Sequence, residues 1–279
     1  MKTILVPTDF SDAARNASIY AVDLAKALQC KILLYHAYHI PVPTFEQIPP
    51  MTIEVVDELE KGNMIRLKDE VSFLNKTGGV LIDYSTTEGL AVDEIIAIEK
   101  SQELCLIIMG MKTREAMNEF VFGSVATDVI RKTQVPVIIV PDKFQFGEIR
   151  KIVFASDNNA EMEIRAAFRD IMETFHAKVF ILHIVKENKL VEADHGVSGI
   201  KTVKQLENVE HVHDFLNDND LIHGITEFID HHEIDMVVMV PHKHNLLSRL
   251  FRESQTKRMA FHTHVPLLAM PADGSKNVA

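Results

Sequence analysis

The residues best suited to chemistry lie in one stretch of the chain, residues 104–141, beside two apolar runs. Gly110 directly follows the first run, and the pair Gly123-Ser124 precedes a segment whose apolar residues have helical spacing. A glycine at the carboxyl end of a strand, followed by Gly-Ser at the start of a helix, can expose several backbone N–H groups. Because the helix dipole adds partial positive charge there, the pattern predicts an anion site, typically for phosphate.

The elements that must position these residues alternate along the first half. Apolar strands are predicted at residues 2–6, 31–37, 80–85, 104–109 and 137–140. Amphipathic helices are predicted between them, after the N-cap candidate Ser11, over 52–76, over 91–102 and after Gly123. This alternation predicts a parallel, doubly wound α/β sheet with helices on both faces. Ligands bind such sheets outside the carboxyl ends of the strands, where the strand order reverses.

The second half of the chain repeats the pattern of the first. Residues 4–9 (ILVPTD) match residues 152–157 (IVFASD), and Pro136 matches Pro266. The first half carries additional residues between its second and third strands, where a proline-rich loop lies. We therefore expect two tandem domains of one fold, at residues 1–142 and 149–273, joined by a short linker.

Composition excludes some classes of function. The net charge of −11 lacks the basic footprint of a general nucleic-acid binder. No apolar run reaches the roughly 18 residues that a membrane helix needs, and the N-terminal residues indicate strand and turn rather than a signal peptide. With 47% apolar and 25% charged residues, the chain is typical of a globular protein. We expect it in the cytoplasm, with neither nucleic acid nor membrane as a partner.

These features resemble the universal stress protein family in a tandem, two-domain form. The resemblance rests on the opening ILVPTD, with Asp9 after the first strand, and on Gly110-x-x-Thr113, nine residues, then Gly123-Ser124. Nucleotide-binding members of that family carry Gly-x-x-Gly, nine residues, then Gly-Ser or Gly-Thr. The spacing therefore matches, and Thr113 departs from the pattern because it replaces the second glycine.

The resemblance implies a fold, a ligand and a set of contacts. Each domain would be Rossmann-like, a five-stranded parallel sheet of order 3-2-1-4-5, and the first would bind ATP, with Mg²⁺ or Mn²⁺. The loop and the Gly-Ser helix start would hold the phosphates, where Lys112 could neutralise charge, and the ends of strands one and two would hold adenosine. The residues implied are Pro7, Thr8, Asp9, Ala37, Met109, Gly110, Lys112, Thr113, Gly123, Ser124 and Val125.

The resemblance also implies how the halves assemble and what they do. They would pair through their fifth strands as an intramolecular pseudo-dimer, with a homodimer as a further option. A regulatory or stress-response role is implied rather than an enzymatic one. No nucleophile, base and orienting partner lie at a recognisable spacing, so any ATP hydrolysis would be slow.

The second half departs from the nucleotide-binding pattern. Val240, Lys243 and Glu253 replace Gly110, Thr113 and Gly123, and only Ser254 remains. A carboxylate at a helix N-terminus repels phosphate and can itself cap the free N–H groups. We therefore predict that the second half does not bind ATP in the manner of the family.

Two alternative functions stay open at this point. One is an interaction module that binds no nucleotide. The other is a metal or anion sensor in the second half, which carries most of the 14 histidines, including His211 and His213 on one predicted strand. Zinc needs three or four ligands that converge on one point, and the histidine pairs show no such convergence. Surface histidines are therefore the simpler interpretation.

The chain has two cysteines, Cys30 and Cys105, each just before or at the start of a predicted strand. In the order 3-2-1-4-5 these two strands flank the first strand, so they lie about 9.5 Å apart. A disulfide needs Cα atoms within about 7 Å. We therefore expect free thiols that are too far apart to pair, as suits a reducing cytoplasm.

Overall fold

The computed structural model describes residues 1–40, 53–114, 119–121, 123–157, 166–185, 210–217, 221–239 and 264–271. Strands and helices alternate in both halves, which is the pattern that the sequence predicted. The first half contains β1 (Thr3–Pro7), α1 (Asp12–Leu28), β2 (Lys31–Tyr38), α2 (Ile53–Leu74), β3 (Ile82–Glu88), α3 (Ala91–Ser101), β4 (Leu104–Arg114), β5 (Glu119–Val121), α4 (Ser124–Lys132) and β6 (Val137–Pro141). The second half contains β7 (Lys151–Asp157), α5 (Ala166–Phe175), β8 (Lys178–Val185), β9 (His211–Asn217), α6 (Leu221–His232), β10 (Met236–Met239) and β11 (Leu267–Ala269).

One sheet runs through both halves, in the order β3-β2-β1-β4-β6-β11-β10-β7-β8-β9. Within each half the main strands are parallel and follow the order 3-2-1-4-5, so the predicted fold class is confirmed. The fifth strands, β6 and β11, pair antiparallel with Ile138 opposite Leu268. The two halves are therefore joined through the strands that the sequence analysis expected.

Both faces of the sheet are covered by cores that extend across the two halves. Ile4 and Ile152 belong to the core on one face, and Leu5 and Val153 belong to the core on the other. All four side chains are fully buried. Full burial of such a side chain stabilises a fold by about 1.5–3 kcal/mol, so the apolar runs that predicted the strands also hold the halves together. In the part of the chain that the structure describes, no helix is both long and apolar enough to cross a membrane.

Helix α1 lies close to the sheet because its inner face consists of small residues. It starts after Ser11, whose Oγ accepts a hydrogen bond from the backbone N–H of Ala14 at 3.3 Å, which is the predicted N-cap. Its buried face includes Ala13, Ala14, Ala17, Ala21 and Ala25. The short side chains let the N-terminus of α1 approach the carboxyl ends of the central strands.

Strand β4 is longer than the sequence indicated. Gly110 was expected to end this strand, but β4 continues to Arg114 and forms an antiparallel hairpin with β5. Gly110 still pairs within the sheet, opposite Val140 of β6. The expectation was wrong because this glycine serves close packing rather than a turn, as described below.

The two cysteines are free thiols, as the sequence predicted, but their sulfur atoms lie close together. Thr3 of β1 pairs with Leu104, but Ile4 pairs with Leu106, so Cys105 is an extra residue in β4 and forms a β-bulge. The bulge turns Cys105 towards the core that contains Cys30. The two Sγ atoms are 3.9 Å apart, and both thiols are free.

Candidate functional site

A cavity of about 530 Å³ opens at the carboxyl edge of the first half of the sheet. It lies between the ends of β1, β2 and β4 and the first turns of α1, α3 and α4. Its volume is in the range of small-molecule sites. The cavity is lined by Pro7, Thr8, Asp9, Ser11, Ala13, Ala14, Tyr35, Ala37, Ala91, Ile95, Met109, Gly110, Gly123, Ser124, Val125 and Ala126.

Most of the residues implied by the family pattern lie together in this cavity. They are Pro7, Thr8, Asp9, Ala37, Met109, Gly110, Gly123, Ser124 and Val125. Lys112 and Thr113 lie further along β4, where they pair with Val121 and Phe120. Thr113 has the extended backbone of a strand, which suits a β-branched residue.

The turn after β1 is held in place by one backbone and two side-chain hydrogen bonds. The N–H of Thr8 donates to the carbonyl of Tyr35 at 2.8 Å, and the Thr8 Oγ1 accepts from the N–H of Phe10 at 3.0 Å. Nδ1 of His36 lies 2.7 Å from the Thr8 carbonyl. Because a carbonyl only accepts, this nitrogen carries the proton. The turn is therefore preorganised at the edge of the cavity.

Asp9 lies on this turn and has an exposed side chain. Its Oδ1 accepts a hydrogen bond from the N–H of Ser11 at 2.9 Å, which fixes the carboxylate near the start of α1. A carboxylate accepts hydrogen bonds from hydroxyl groups and repels phosphate. Asp9 therefore suits the sugar end of a nucleotide better than the phosphate end.

The N-terminus of helix α4 faces the cavity, and no described side chain caps it. Gly123 is its N-cap and supplies no side chain, and the first turn contains no acidic residue. The first helical hydrogen bond joins the N–H of Thr127 to the carbonyl of Gly123 at 3.0 Å. The N–H groups of the three residues before Thr127 therefore take no part in the hydrogen bonds of the helix. A Cβ at Gly123 would have no heavy atom within 4 Å among the described residues. Open space in front of a positive dipole end, whose first N–H groups lie outside the helical hydrogen bonds, suits an anion.

Gly110 has a different role from Gly123. A Cβ at Gly110 would lie 2.3 Å from the carbonyl oxygen of Ala13 and 3.0 Å from the N–H nitrogen of Ala14. Only a residue without Cβ lets the start of α1 lie this close to β4. Gly110 therefore shapes the cavity wall by allowing two elements to touch.

Tyr35 is the most informative lining residue that sequence reasoning missed. It belongs to the apolar run that predicts β2, yet it lines the cavity with 1% of its surface exposed. Its hydroxyl has no hydrogen-bond partner of normal geometry among the described residues, although Thr87 is nearby. Burial raises the pKa of this phenol, so the group is a neutral donor. Six further lining residues were not predicted: Ser11, Ala13, Ala14, Ala91, Ile95 and Ala126.

In the second half, the corresponding residues lie outside the described part of the chain: Val240, Lys243, Glu253 and Ser254. The prediction that this half does not bind ATP therefore stays a prediction. His211 and His213 do lie on one strand, β9, as expected. Over the residues that the structure describes, no group of three potential ligands is placed to hold a metal ion.

The Universal stress protein family matches this chain twice, over residues 1–141 and over residues 148–271. The chain belongs to this family. One half of it is 29% identical over 140 residues to a universal stress protein of Methanocaldococcus jannaschii, covering 50% of this chain and 81% of that protein. A universal stress protein of Thermus aquaticus is 28% identical over 139 residues, covering 50% of this chain and 98% of its own.

A solved structure supports the tandem fold over almost the whole length. The crystal structure of a universal stress protein from Archaeoglobus fulgidus superposes with a TM-score of 0.72 at 17% identity. The match covers 96% of this chain and 98% of that one. The double Rossmann-like arrangement is thus shared with a universal stress protein of similar length.

Proposed function

We propose that this universal stress protein binds an adenine nucleotide, such as ATP, in the cavity of its first half, and that it acts in regulation rather than catalysis. The observation that carries the proposal is that the start of α4, which no described side chain caps, lines one cavity together with Tyr35, whose buried hydroxyl has no hydrogen-bond partner of normal geometry among the described residues. The first suits a phosphate group and the second suits a hydrogen-bond acceptor such as a ring nitrogen or a sugar oxygen. One molecule that carries both groups would satisfy both ends of the cavity.

The placement of charge suggests an orientation for the nucleotide. The phosphates would lie at Gly123 and Ser124, where the helix dipole is positive and Gly123 leaves room for close approach. The nucleoside would lie between Asp9 and Tyr35, where a carboxylate and a phenol can meet hydroxyl and base atoms. With ATP, Mg²⁺ or Mn²⁺ would accompany the triphosphate and neutralise part of its charge.

Within the described residues, the cavity offers binding groups but no arrangement for fast hydrolysis. Asp9 is the carboxylate that lines it, and its Oδ1 is engaged by the N–H of Ser11. A general base needs a carboxylate placed against the attacking water, and a nucleophile needs an adjacent base. We therefore assign residues 1–142 to nucleotide binding and residues 149–273 to a degenerate partner domain.

Calorimetry with ATP and Mg²⁺ tests the proposal, together with mass spectrometry of the denatured protein for co-purified nucleotide. Gly123→Glu places a carboxylate at the start of α4 and should weaken ATP binding at least tenfold, or by about 1.4 kcal/mol. Gly147→Glu is the matched control, because this linker glycine also has no heavy atom within 4 Å of its Cβ position and does not line the cavity. Equal affinity of both variants would move the site elsewhere, and absence of binding to the native chain would refute the proposal.

A further inference from the structure

A second chemical feature lies at the opposite edge of the sheet from the cavity. Cys30 directly precedes β2, and Cys105 lies at the start of β4, with their Sγ atoms 3.9 Å apart across the first residues of β1. Two thiols at this distance are in van der Waals contact, and an S–S bond needs them about 2 Å closer.

Two local irregularities bring the sulfur atoms together. The β-bulge at Cys105 turns its side chain to the same face of the sheet as Cys30. Cys30 follows Gln29, which ends α1 in the left-handed conformation with φ 53°, so Cys30 precedes the first paired residue of β2. Neither cysteine is thus held in a regular register with β1, and an S–S bond would draw the α1–β2 connection and the bulge towards each other.

The surroundings of the pair favour one reactive thiol. The Cys105 thiol, acting as a hydrogen-bond donor, lowers the pKa of Cys30, burial opposes this, and the nearby Lys2 ammonium lowers it further, to about 7. The same contact and burial raise the pKa of Cys105, which stays protonated. Asp170 of α5 acts in the opposite direction on Cys30 and is itself ion-paired with Lys2. Cys30 is 5% exposed, whereas Cys105 is partly exposed and leaves the pair open to a small reagent.

We propose that Cys30 and Cys105 form a modification site at which hydrogen peroxide produces an intramolecular disulfide. The Cys30 thiolate attacks one peroxide oxygen, the O–O bond breaks, and a Cys30 sulfenic acid and hydroxide result. This hydroxide takes up the proton that Cys30 released to solvent on ionising. The Cys105 sulfur then attacks the Cys30 sulfur, so that the S–S bond forms and the S–O bond breaks. The departing hydroxide takes the Cys105 proton and leaves as water. Both thiols are oxidised by one electron each, and one hydrogen peroxide is reduced to two waters.

The disulfide would join parts of the chain that meet the second half. It would fix the connection between α1 and β2 to the start of β4, beside the ion pair of Lys2 with Asp170. This edge is remote from the nucleotide cavity, so the inference does not depend on the proposed function. The disulfide would cross-link the first half under oxidising conditions, and added thiols would reduce it again.

The reaction can be followed on the full-length protein without any ligand. Reduced protein is treated with hydrogen peroxide, remaining thiols are trapped with N-ethylmaleimide, and intact mass and peptide mapping are recorded. We expect loss of both thiols together, a mass lower by two hydrogens, a peptide linking Cys30 to Cys105, and full reversal by dithiothreitol. The rate should rise with pH through a midpoint near the lowered pKa of Cys30, about 7.

The variant Cys105→Ala separates this pathway from general oxidation. It retains Cys30, so peroxide should give a sulfenic acid that dimedone traps, and no linked peptide. In the native chain, oxidation should raise the midpoint of thermal unfolding, whereas the variant should show no such rise. The proposal is overturned if native thiols stay open to alkylation, if each is oxidised separately to a sulfinic acid, or if the disulfides join different chains.

Discussion

At the scale of single residues, Tyr35 is both a core residue in the cavity wall and a candidate contact for the ligand. Its ring fills space beside β2 as a core residue does, while its hydroxyl is buried without a partner of normal geometry among the described residues. Leaving a buried donor unsatisfied costs about 1–3 kcal/mol, which a ligand acceptor can recover. The sequence could not reveal this role, because a tyrosine in an apolar strand predicts only burial.

Tyr35→Phe should therefore have opposite effects on the free and the nucleotide-bound protein. Without nucleotide, the free energy of unfolding should rise by about 1 kcal/mol, since an unsatisfied hydroxyl is removed. ATP affinity should fall roughly five- to tenfold, since a donor is lost. Urea titrations and calorimetry measure the two effects, with Tyr84→Phe on the edge strand β3 as control. A variant that is less stable and binds ATP unchanged would place the hydroxyl in a purely structural role.

At the scale of elements, Gly110 decides how closely α1 lies on β4. In Gly110→Ala the new Cβ would meet backbone atoms of Ala13 at 2.3 and 2.5 Å, and backbone yields less easily than a flexible side chain. Such overpacking costs about 1–3 kcal/mol. Gly123→Ala meets nothing within 4 Å and should cost only some tenths of a kcal/mol for the weaker N-cap. Urea titrations compare the two, and equal losses of stability would contradict the separate roles assigned to these glycines.

Strand β4 shows why the fold could be predicted from the sequence and why parts of the site could not. Apolar runs such as residues 104–109 predict buried strands, because only strands covered on both faces tolerate such continuous apolarity. The extension of β4 beyond Gly110 and the bulge at Cys105 depend on contacts with β5 and β1, which are distant in sequence. Glycine at position 110 was therefore interpreted as a strand end, although a long-range contact with α1 explains it.

At the scale of the whole molecule, the two halves share one sheet and two hydrophobic cores. The sheet is continuous through β6 and β11, and each of its two cores contains residues of both halves. The ring of Phe146, in the linker, lies 5.1 Å from Tyr20 of α1 and 6.1 Å from Phe175 of α5. Since these contacts cannot be kept when one half unfolds, the halves should lose structure together.

Urea unfolding followed by two probes tests this cooperativity. All four tyrosines lie in the first half, so tyrosine fluorescence reports on that half, whereas far-UV circular dichroism reports on the whole chain. The two transitions of the native protein should coincide. Leu268→Ala empties a fully buried position of β11 in the second half, opposite Ile138, and should cost about 2–5 kcal/mol. The tyrosine midpoint should fall as far as the dichroism midpoint. If it stays in place while the dichroism curve shifts or splits, the halves unfold independently and the shared sheet is not a cooperative unit.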